Sequence, residues 1–177
     1  MLMNERSMII RLSQKVATKI KVGKLAEMPL NENQYADWSA HLFTFGRTQY
    51  IILCNTKSLY CCFMHGKGIT DDGLFIKLAL HTIGEFMEAD GLSSIFHKSI
   101  APSSAPVCFA KALSRSVTGS MNDHIQGAKF MLEDGLDPHD LGFRLNKTPL
   151  SALTRADGSR YANPNEVLQL LTNHANE

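Results

Sequence analysis

Six short runs of apolar residues, all of them in the first two thirds of the chain, predict the strands of a sheet. The third and fourth runs are joined by a polar turn over residues 55–58, which is the pattern of a β-hairpin. Both of these runs are apolar on both faces, so we expect the hairpin to lie in the centre of the sheet with cover on each side. The six runs are residues 8–12, 38–45, 50–54, 59–64, 95–100 and 107–110.

Apolar positions spaced three and four residues apart predict two long helices and several short ones. The first long helix begins at residue 70 or 71 and stops at residues 90–91, and the second runs from residue 119 or 120 to Asp134. Ser13, Asp137 and Asn163 are predicted to cap shorter helices, because their side-chain oxygens accept from otherwise unpaired backbone N–H groups. This order indicates an α+β fold with a mostly antiparallel central sheet, packed with two longer helices and short C-terminal helices.

Length and composition are those of an ordinary globular protein. The chain has 177 residues, of which 44% are hydrophobic and 20% are charged. A chain of this length can bury a hydrophobic core without disulfide bonds. Met8 starts the first apolar run. We therefore expect residues 1–7 to form a flexible N-terminal extension and residues 8–177 to form a single α+β domain.

The cysteines and the polar residues at the start of the sequence indicate the cellular compartment of the protein. None of the four cysteines forms a C-x-x-C pair, and all four lie in apolar runs, which is typical of buried reduced thiols. The residues before Met8 are too polar for a signal peptide, and no apolar stretch has the length needed to span a bilayer. We therefore expect a cytoplasmic protein without membrane contact.

The seven histidines give no sequence signal for a metal. None of them is paired at i, i+2 or i, i+4, and no Cys/His cluster with the spacing of a zinc site occurs. The sequence therefore predicts no metal site and no cofactor. A site assembled in the fold from His41, His65 and a carboxylate stays open as an alternative.

Basic residues concentrate at the start of the chain, although the formal net charge is only +1. Residues 1–24 contain six lysines and arginines and one acidic residue. Such an asymmetry is found on nucleic-acid-binding surfaces, and Arg11, Lys15 and Lys19 are the candidate contacts. A solvated helix face explains the same pattern, and the sequence favours that simpler interpretation.

The densest polar segment, residues 115–124, lies where the second long helix begins. A glycine beside hydroxyl groups at a helix start can present backbone N–H groups to an anion, so this segment is a candidate site for a phosphate- or carboxylate-bearing ligand. It lacks the lysine of a P-loop, and the adjacent Asp123 and His124 point in different directions, so no catalytic residue is identified. Helix capping is the alternative that the pattern favours. The candidate ligand-binding residues are Arg115, Ser116, Ser120, Asn122 and Asp123.

Three stretches of the sequence resemble a known family. They are MIIRLSQK from Met8, WSAHLFT from Trp38 and RSVTGSMND from Arg115, of which the last is the most specific. Together they resemble an uncharacterised bacterial domain family, known as a domain of unknown function, over most of residues 8–173. The resemblance implies a bacterial cytoplasmic protein, and it brings no activity and no catalytic residue with it.

Three classes of function are consistent with these patterns. The first, favoured by the balanced charge and the lack of catalytic motifs, is a non-catalytic protein-interaction or regulatory module. Its surplus apolar sheet surface would be buried in a homodimer or against a protein partner. The second is a small enzyme that binds an anionic ligand at residues 115–123, with Arg115 as the anion clamp and Asp123 as the base. The third is nucleic-acid binding through the basic first helix.

Overall fold

A five-stranded mixed sheet organises residues 7–171, the part of the chain that this computed structural model describes. Its strands are β1 (Met8–Leu12), β2 (Asp37–Phe45), β3 (Thr48–Asn55), β4 (Cys61–His65) and β5 (Val107–Ala110). They lie in the order β4-β3-β2-β1-β5. The pairs β2–β3 and β3–β4 are antiparallel, whereas β1 is parallel to both of its neighbours, β2 and β5.

Helices of very different length pack on this sheet. The α-helices of the described residues are α1 (Gln14–Lys19), α2 (Asp72–Ala89), α3 (Ser93–Ile95), α4 (Arg115–Glu133), α5 (Pro138–Asn146) and α6 (Pro164–Leu168). Short 3-10 turns form at Gln34–Ala36 and Ala101–Ser103, and a π-helical turn forms at Phe96–Ile100. The two long helices are α2 and α4, as the sequence predicts.

The α+β class is confirmed, but the sheet differs from the expectation in two respects. It is mixed rather than mostly antiparallel, because the chain crosses from β1 through α1 to a parallel β2, and β5 joins β1 in parallel from the other side. The β3–β4 hairpin lies at one edge of the sheet and not in its centre. The central strand is β2.

At Cys61, the outer edge of β4 is paired with a side chain of α5. Asn146 accepts a hydrogen bond from Cys61 N at Oδ1 (2.7 Å) and donates one through Nδ2 to Cys61 O (2.8 Å). These two bonds take the place of a further strand's ladder contacts, so they satisfy backbone groups that an edge strand otherwise leaves open.

Both faces of the hairpin are nevertheless covered, as the apolar runs predict. On β3, Ile51 and Leu53 point into one core together with residues of α2, whereas Ile52 and Cys54 point into a second core together with residues of α4 and α5. The apolar surface of the hairpin is therefore buried within the chain itself.

Capping chemistry sets several helix starts where the sequence predicts them. The side chains of Ser13, Asp71 and Asp137 each accept a backbone N–H of the first helical turn. Asn163 does the same at α6 and forms a reciprocal capping box with Glu166.

Other local predictions are wrong as well. The run 95–100 is not a strand but belongs to the helical turns that end at Ile100, because a short apolar run does not distinguish a strand from a buried helical turn. Helix α4 begins at Arg115, rather than at residue 119 or 120. Its cap is Ser114, whose Oγ accepts from Val117 N at 3.2 Å.

The predicted N-terminal extension, residues 1–7, lies outside the described residues except for Ser7. Ser7 O accepts from Asn31 Nδ2 (2.8 Å), which ties the start of β1 to the loop before β2. In the described part of the chain, no helix combines the length and the hydrophobicity needed to cross a bilayer.

Candidate functional site

A cleft of about 550 Å³ opens where β1 and β5 end. Leu12 and Ser13 line it from the end of β1, and Lys111 and Ala112 line it from the end of β5. β1 is the strand at which the order reverses, because the chain passes from it to β2 on one side while β5 pairs with it on the other. In open sheets with parallel strands, ligands bind beyond the carboxyl ends of the strands at such a switch point.

The ionisable side chains around the cleft are basic. Lys24 comes from the loop after α1, Lys111 follows β5, and His41 comes from β2. None of the described residues that line the cleft is acidic. Lys111 Nζ lies 4.0 Å from Glu27 Oε1, but both side chains are exposed, and such solvated pairs are weak. The ionisable side chains that line the cleft therefore give it a positive potential.

Burial sets the protonation state of His41, which is half-buried at the cleft. It lowers the pKa of His41 below the ordinary value for histidine, because the charged ring loses solvation. The ring is therefore neutral at neutral pH and gains its positive charge in more acidic solution. An anion in the cleft favours the charged ring, so anion binding and protonation of His41 reinforce each other.

Arg11, one of the predicted nucleic-acid contacts, lies in the interior with only 1% of its side chain exposed. Its Nε and Nη2 donate to the two carboxylate oxygens of the buried Asp37, each at 2.8 Å. The other N–H groups of the guanidinium donate to the backbone oxygens of Met28, Pro29 and Lys111. All the donors that a guanidinium has are thus used inside the protein.

Lys15 and Lys19, the other two predicted contacts, lie on α1. Lys15 is exposed, and the half-buried Lys19 donates through Nζ to Gln49 Oε1 at 3.0 Å. The structure therefore brings Arg11 together with Asp37 and not with the two lysines. A nucleic-acid surface on α1 would have to do without the Arg11 guanidinium.

The candidate anion site at residues 115–123 forms the first half of α4. Because Ser114 is the cap, residues 119 and 120 lie within the helix and not at its start. Ser120 is buried, and the other four predicted side chains are exposed. The segment meets the cleft through Thr118, and none of the five predicted residues lines it, so their role as ligands stays a prediction. The four exposed side chains are those of Arg115, Ser116, Asn122 and Asp123.

A second group of reactive side chains lies between the hairpin and α4. Cys54 on β3 and Cys61 on β4 are register partners, and His124 projects towards them from α4. The two Sγ atoms and one ring nitrogen of His124 lie within 4.8 Å of one another. Each of the three residues is at most 1% exposed. Two thiols and an imidazole are side chains that hold soft metal ions in proteins.

Burial keeps the Cys61 thiol and the His124 ring of this second group uncharged at neutral pH. It raises the pKa of the Cys61 thiol and lowers the pKa of His124, because both charged forms lose solvation. His124 Nε2 lies 2.9 Å from Leu59 O. Since a carbonyl only accepts, Nε2 carries the proton, and the free electron pair of the ring is on Nδ1.

Sequence reasoning missed this second group because the hairpin turn was predicted too short. A turn over residues 55–58 pairs Cys54 with residue 59, whereas β4 begins at Cys61 and pairs it with Cys54. One signal could have revealed the histidine. His124 lies three residues after Met121 and four before Ala128, which places it on the apolar face of α4.

The alternative metal site with His41 and His65 is not formed in the described residues. His41 is on β2 and lines the cleft, whereas His65 is on β4 with β3 in between. The His65 ring packs against Tyr50, with the ring centroids 5.2 Å apart.

Comparison with known proteins agrees with the resemblance of the three sequence motifs. No curated protein matches the chain. A family model described as "Domain of unknown function (DUF6933)" matches residues 9–167, a range that takes in the cleft, α4 and the buried Cys54, Cys61 and His124. Since this range is most of the chain, the protein belongs to the DUF6933 family, a domain of unknown function.

Proposed function

We propose that the domain binds a small ligand with a phosphate or carboxylate group in the cleft at the carboxyl ends of β1 and β5. The observation that carries the proposal is the basic lining of this cleft at the switch point of the sheet. Lys24, Lys111 and His41 come from three separate segments and line one space of about 550 Å³. Pockets of 300–1,000 Å³ (roughly) are typical of small-molecule sites.

The chemistry of each side chain that lines the cleft suits a particular contact with the ligand. Lys24 and Lys111 supply positive charge to the anionic group, as lysines do at many phosphate sites. His41 is neutral at neutral pH and can donate one hydrogen bond and accept another. The Thr118 hydroxyl can do the same from α4. The proposal covers binding, and it assigns no reaction to these residues.

The protein-interaction hypothesis has weaker support in the fold. It depends on apolar sheet surface left without cover, but the hairpin is packed on both faces by helices of the same chain. The large apolar side chains that are exposed in the described residues lie on separate segments rather than on one element. They are Leu74, Leu113, Phe130, Tyr161 and Leu170.

Titration with inorganic phosphate, followed by amide chemical shifts at constant ionic strength, tests the proposal. We expect saturable shifts concentrated at residues 23–25, 111–112 and 118, which border the cleft. The double variant Lys24→Glu/Lys111→Glu reverses the charge of the cleft and is expected to weaken binding by about tenfold or more.

A matched control separates the cleft from the general charge of the protein. Lys57→Glu/Lys77→Glu makes the same change in net charge at two exposed positions that do not line the cleft. This control is expected to bind phosphate as the unmodified protein does. Equal weakening in both double variants, or shifts spread over the whole surface, would contradict a site in the cleft.

Sulfate provides the pH test, because its own charge does not change between neutral and mildly acidic solution. The lowered pKa of His41 predicts that sulfate binds more tightly as the pH falls and the ring becomes charged. His41→Gln keeps a polar side chain without this titration, so its sulfate affinity is expected to change little with pH. A pH dependence that survives in His41→Gln would assign the effect to another group.

A further inference from the structure

Independently of the cleft, we propose that Cys54, Cys61 and His124 form a binding site for a thiophilic metal ion, Zn²⁺ or Cu⁺. The three side chains come from β3, β4 and α4, and their possible ligand atoms lie within 4.8 Å of one another. A bound ion about 2.3 Å from sulfur and about 2.0 Å from nitrogen separates its ligand atoms by roughly 3.5–4 Å. The ligand atoms therefore need to approach one another by no more than about 1.3 Å to hold the ion.

Backbone register makes the sulfur pair a fixed feature of the fold. Cys54 and Cys61 are direct partners in the antiparallel β3–β4 ladder, so their side chains project from the same face of the sheet. Asn146 holds the backbone of Cys61 from the other side through two hydrogen bonds of 2.7 and 2.8 Å. The two thiols are thus placed by the strands and by α5, before any ion binds.

The Leu59 carbonyl orients the histidine in the way that metal-binding histidines are oriented. It accepts from His124 Nε2 at 2.9 Å, so the proposal assigns Nδ1, the ring nitrogen that keeps its electron pair, as the ligand of the ion. Histidine ligands commonly donate their second ring N–H to a backbone carbonyl in this manner. Leu59 itself has a φ of +62°, a left-handed conformation that a leucine adopts at a cost, and Cys54 Sγ also lies 3.9 Å from its oxygen.

Charge balance suits an ion in this apolar place. Cys54 and Cys61 lie in one core cluster with Ile52, Phe63 and Met121. Binding of Zn²⁺ displaces the two thiol protons, and two thiolates, a neutral imidazole and a divalent ion have no net charge. Cu⁺ accepts three ligands and favours the same sulfur atoms, and it gives a neutral site when it displaces one of the two thiol protons. Zn²⁺ takes a fourth ligand in addition to these three.

The test uses the full chain, reduced and handled without oxygen so that the two thiols stay free. Apo-protein is titrated with Zn²⁺ against a chromophoric chelator and, in a second arm, with Cu⁺ against a Cu⁺-specific chelator. We expect about one equivalent of one of these ions to bind per chain. Binding of about one equivalent of either ion supports the site, and failure of both ions to bind would overturn the proposal.

Cys62 provides a matched control for the variants. It is as buried as Cys61 and adjacent to it on β4, but it points into the opposite core. We expect Cys54→Ser and His124→Gln to weaken metal binding by more than about tenfold, and Cys62→Ser to leave it unchanged. Equal loss in all three variants would overturn the assignment.

X-ray absorption at the metal edge of the unmodified protein gives a measurement that does not depend on whether the variants fold. A coordination shell with two sulfur atoms at about 2.3 Å and one imidazole nitrogen at about 2.0 Å is expected. A shell of oxygen and nitrogen alone would place the ion elsewhere and overturn the proposal.

Discussion

At the scale of single residues, burial determines whether a charged side chain pairs inside the protein or is available at its surface. Arg11 stands in a basic stretch of the sequence, yet in the fold its guanidinium joins β1 to Asp37 of β2 and to the loop oxygens of Met28 and Pro29. The charge pattern along the chain cannot distinguish this interior arginine from a surface one. Its role follows from the position of Asp37, which pairs with Ile9 in the β1–β2 ladder and so lies diagonally across from Arg11 on the same face of the sheet.

Arg11→Met tests this buried ion pair. It leaves the Asp37 carboxylate, which is fully buried, without its charged partner, so the free energy of unfolding is expected to fall by about 3–5 kcal/mol. Arg11→Met/Asp37→Leu removes both charges and is expected to be more stable than the single variant. Urea denaturation measures both, with the exposed Lys15→Met as control. A single variant as stable as the control would mean that the pair contributes little.

The cysteines provide a second prediction for single residues. Burial raises the pKa of the Cys61 and Cys62 thiols, whereas Cys108 on β5 is half-buried. We expect iodoacetamide to modify Cys108 well before Cys54, Cys61 and Cys62 in the native, chelator-treated protein, because a buried neutral thiol is a poor nucleophile. Peptide mass spectrometry measures the order. Labelling of all four at one rate would contradict the buried placement.

At the scale of elements, local chemistry made some boundaries predictable and left others hidden. The start of α2 follows from Asp71 and its end from Asp90 and Gly91, all visible in the sequence. The start of α4 was missed because Gly119 suggested a terminus, whereas Ser114 caps the helix and Gly119 lies inside it. The start of β4 was missed because the turn extends to Tyr60, where Asn55 N donates to Tyr60 O and Leu59 N donates to Asn55 O, and a contact from α4 adds to these local bonds. The contact from α4 is the His124–Leu59 hydrogen bond, which no local sequence signal predicts.

Two glycines in helices give a prediction with its own control. A Cβ at Gly142 of α5 would stand 2.5 Å from a ring carbon of the buried Phe86 and 2.9 Å from Cys61 O. Gly142→Ala is therefore expected to destabilise the protein by about 1–3 kcal/mol, although alanine is the better helix former. Gly119→Ala in α4 meets nothing within 4 Å and is expected to stabilise by up to about 1 kcal/mol.

Thermal or urea unfolding of the two glycine variants distinguishes packing from helix propensity. If α5 sits as close to α2 and β4 as the structure places it, the two alanines have effects of opposite sign. Stabilisation by both alanines would show that α5 can move away from Phe86 without cost.

At the scale of the whole molecule, the features that sequence patterns could not give are the non-local ones. β1 pairs with β5 across about a hundred residues of intervening chain, with Ile10 opposite Phe109, and no local signal announces a parallel pairing of this kind. The cleft could not be predicted for the same reason, because Lys24, His41 and Lys111 come together only when β5 pairs with β1. The α+β class needed only the order of the elements and was predictable.

Hydrogen exchange tests whether this non-local sheet unfolds as one unit, as the prediction of a single domain over residues 8–177 requires. Amides of β1 that bond to β5 are expected to be as protected as those of β3, because both lie in the same sheet under a common core. Residues 154–161, which are exposed and bond mainly to one another, are expected to exchange by local opening. Early exchange of the β1–β5 amides, with β2–β4 still protected, would mean that β5 detaches on its own. The cleft, which needs β5 in place, would then open and close with that detachment.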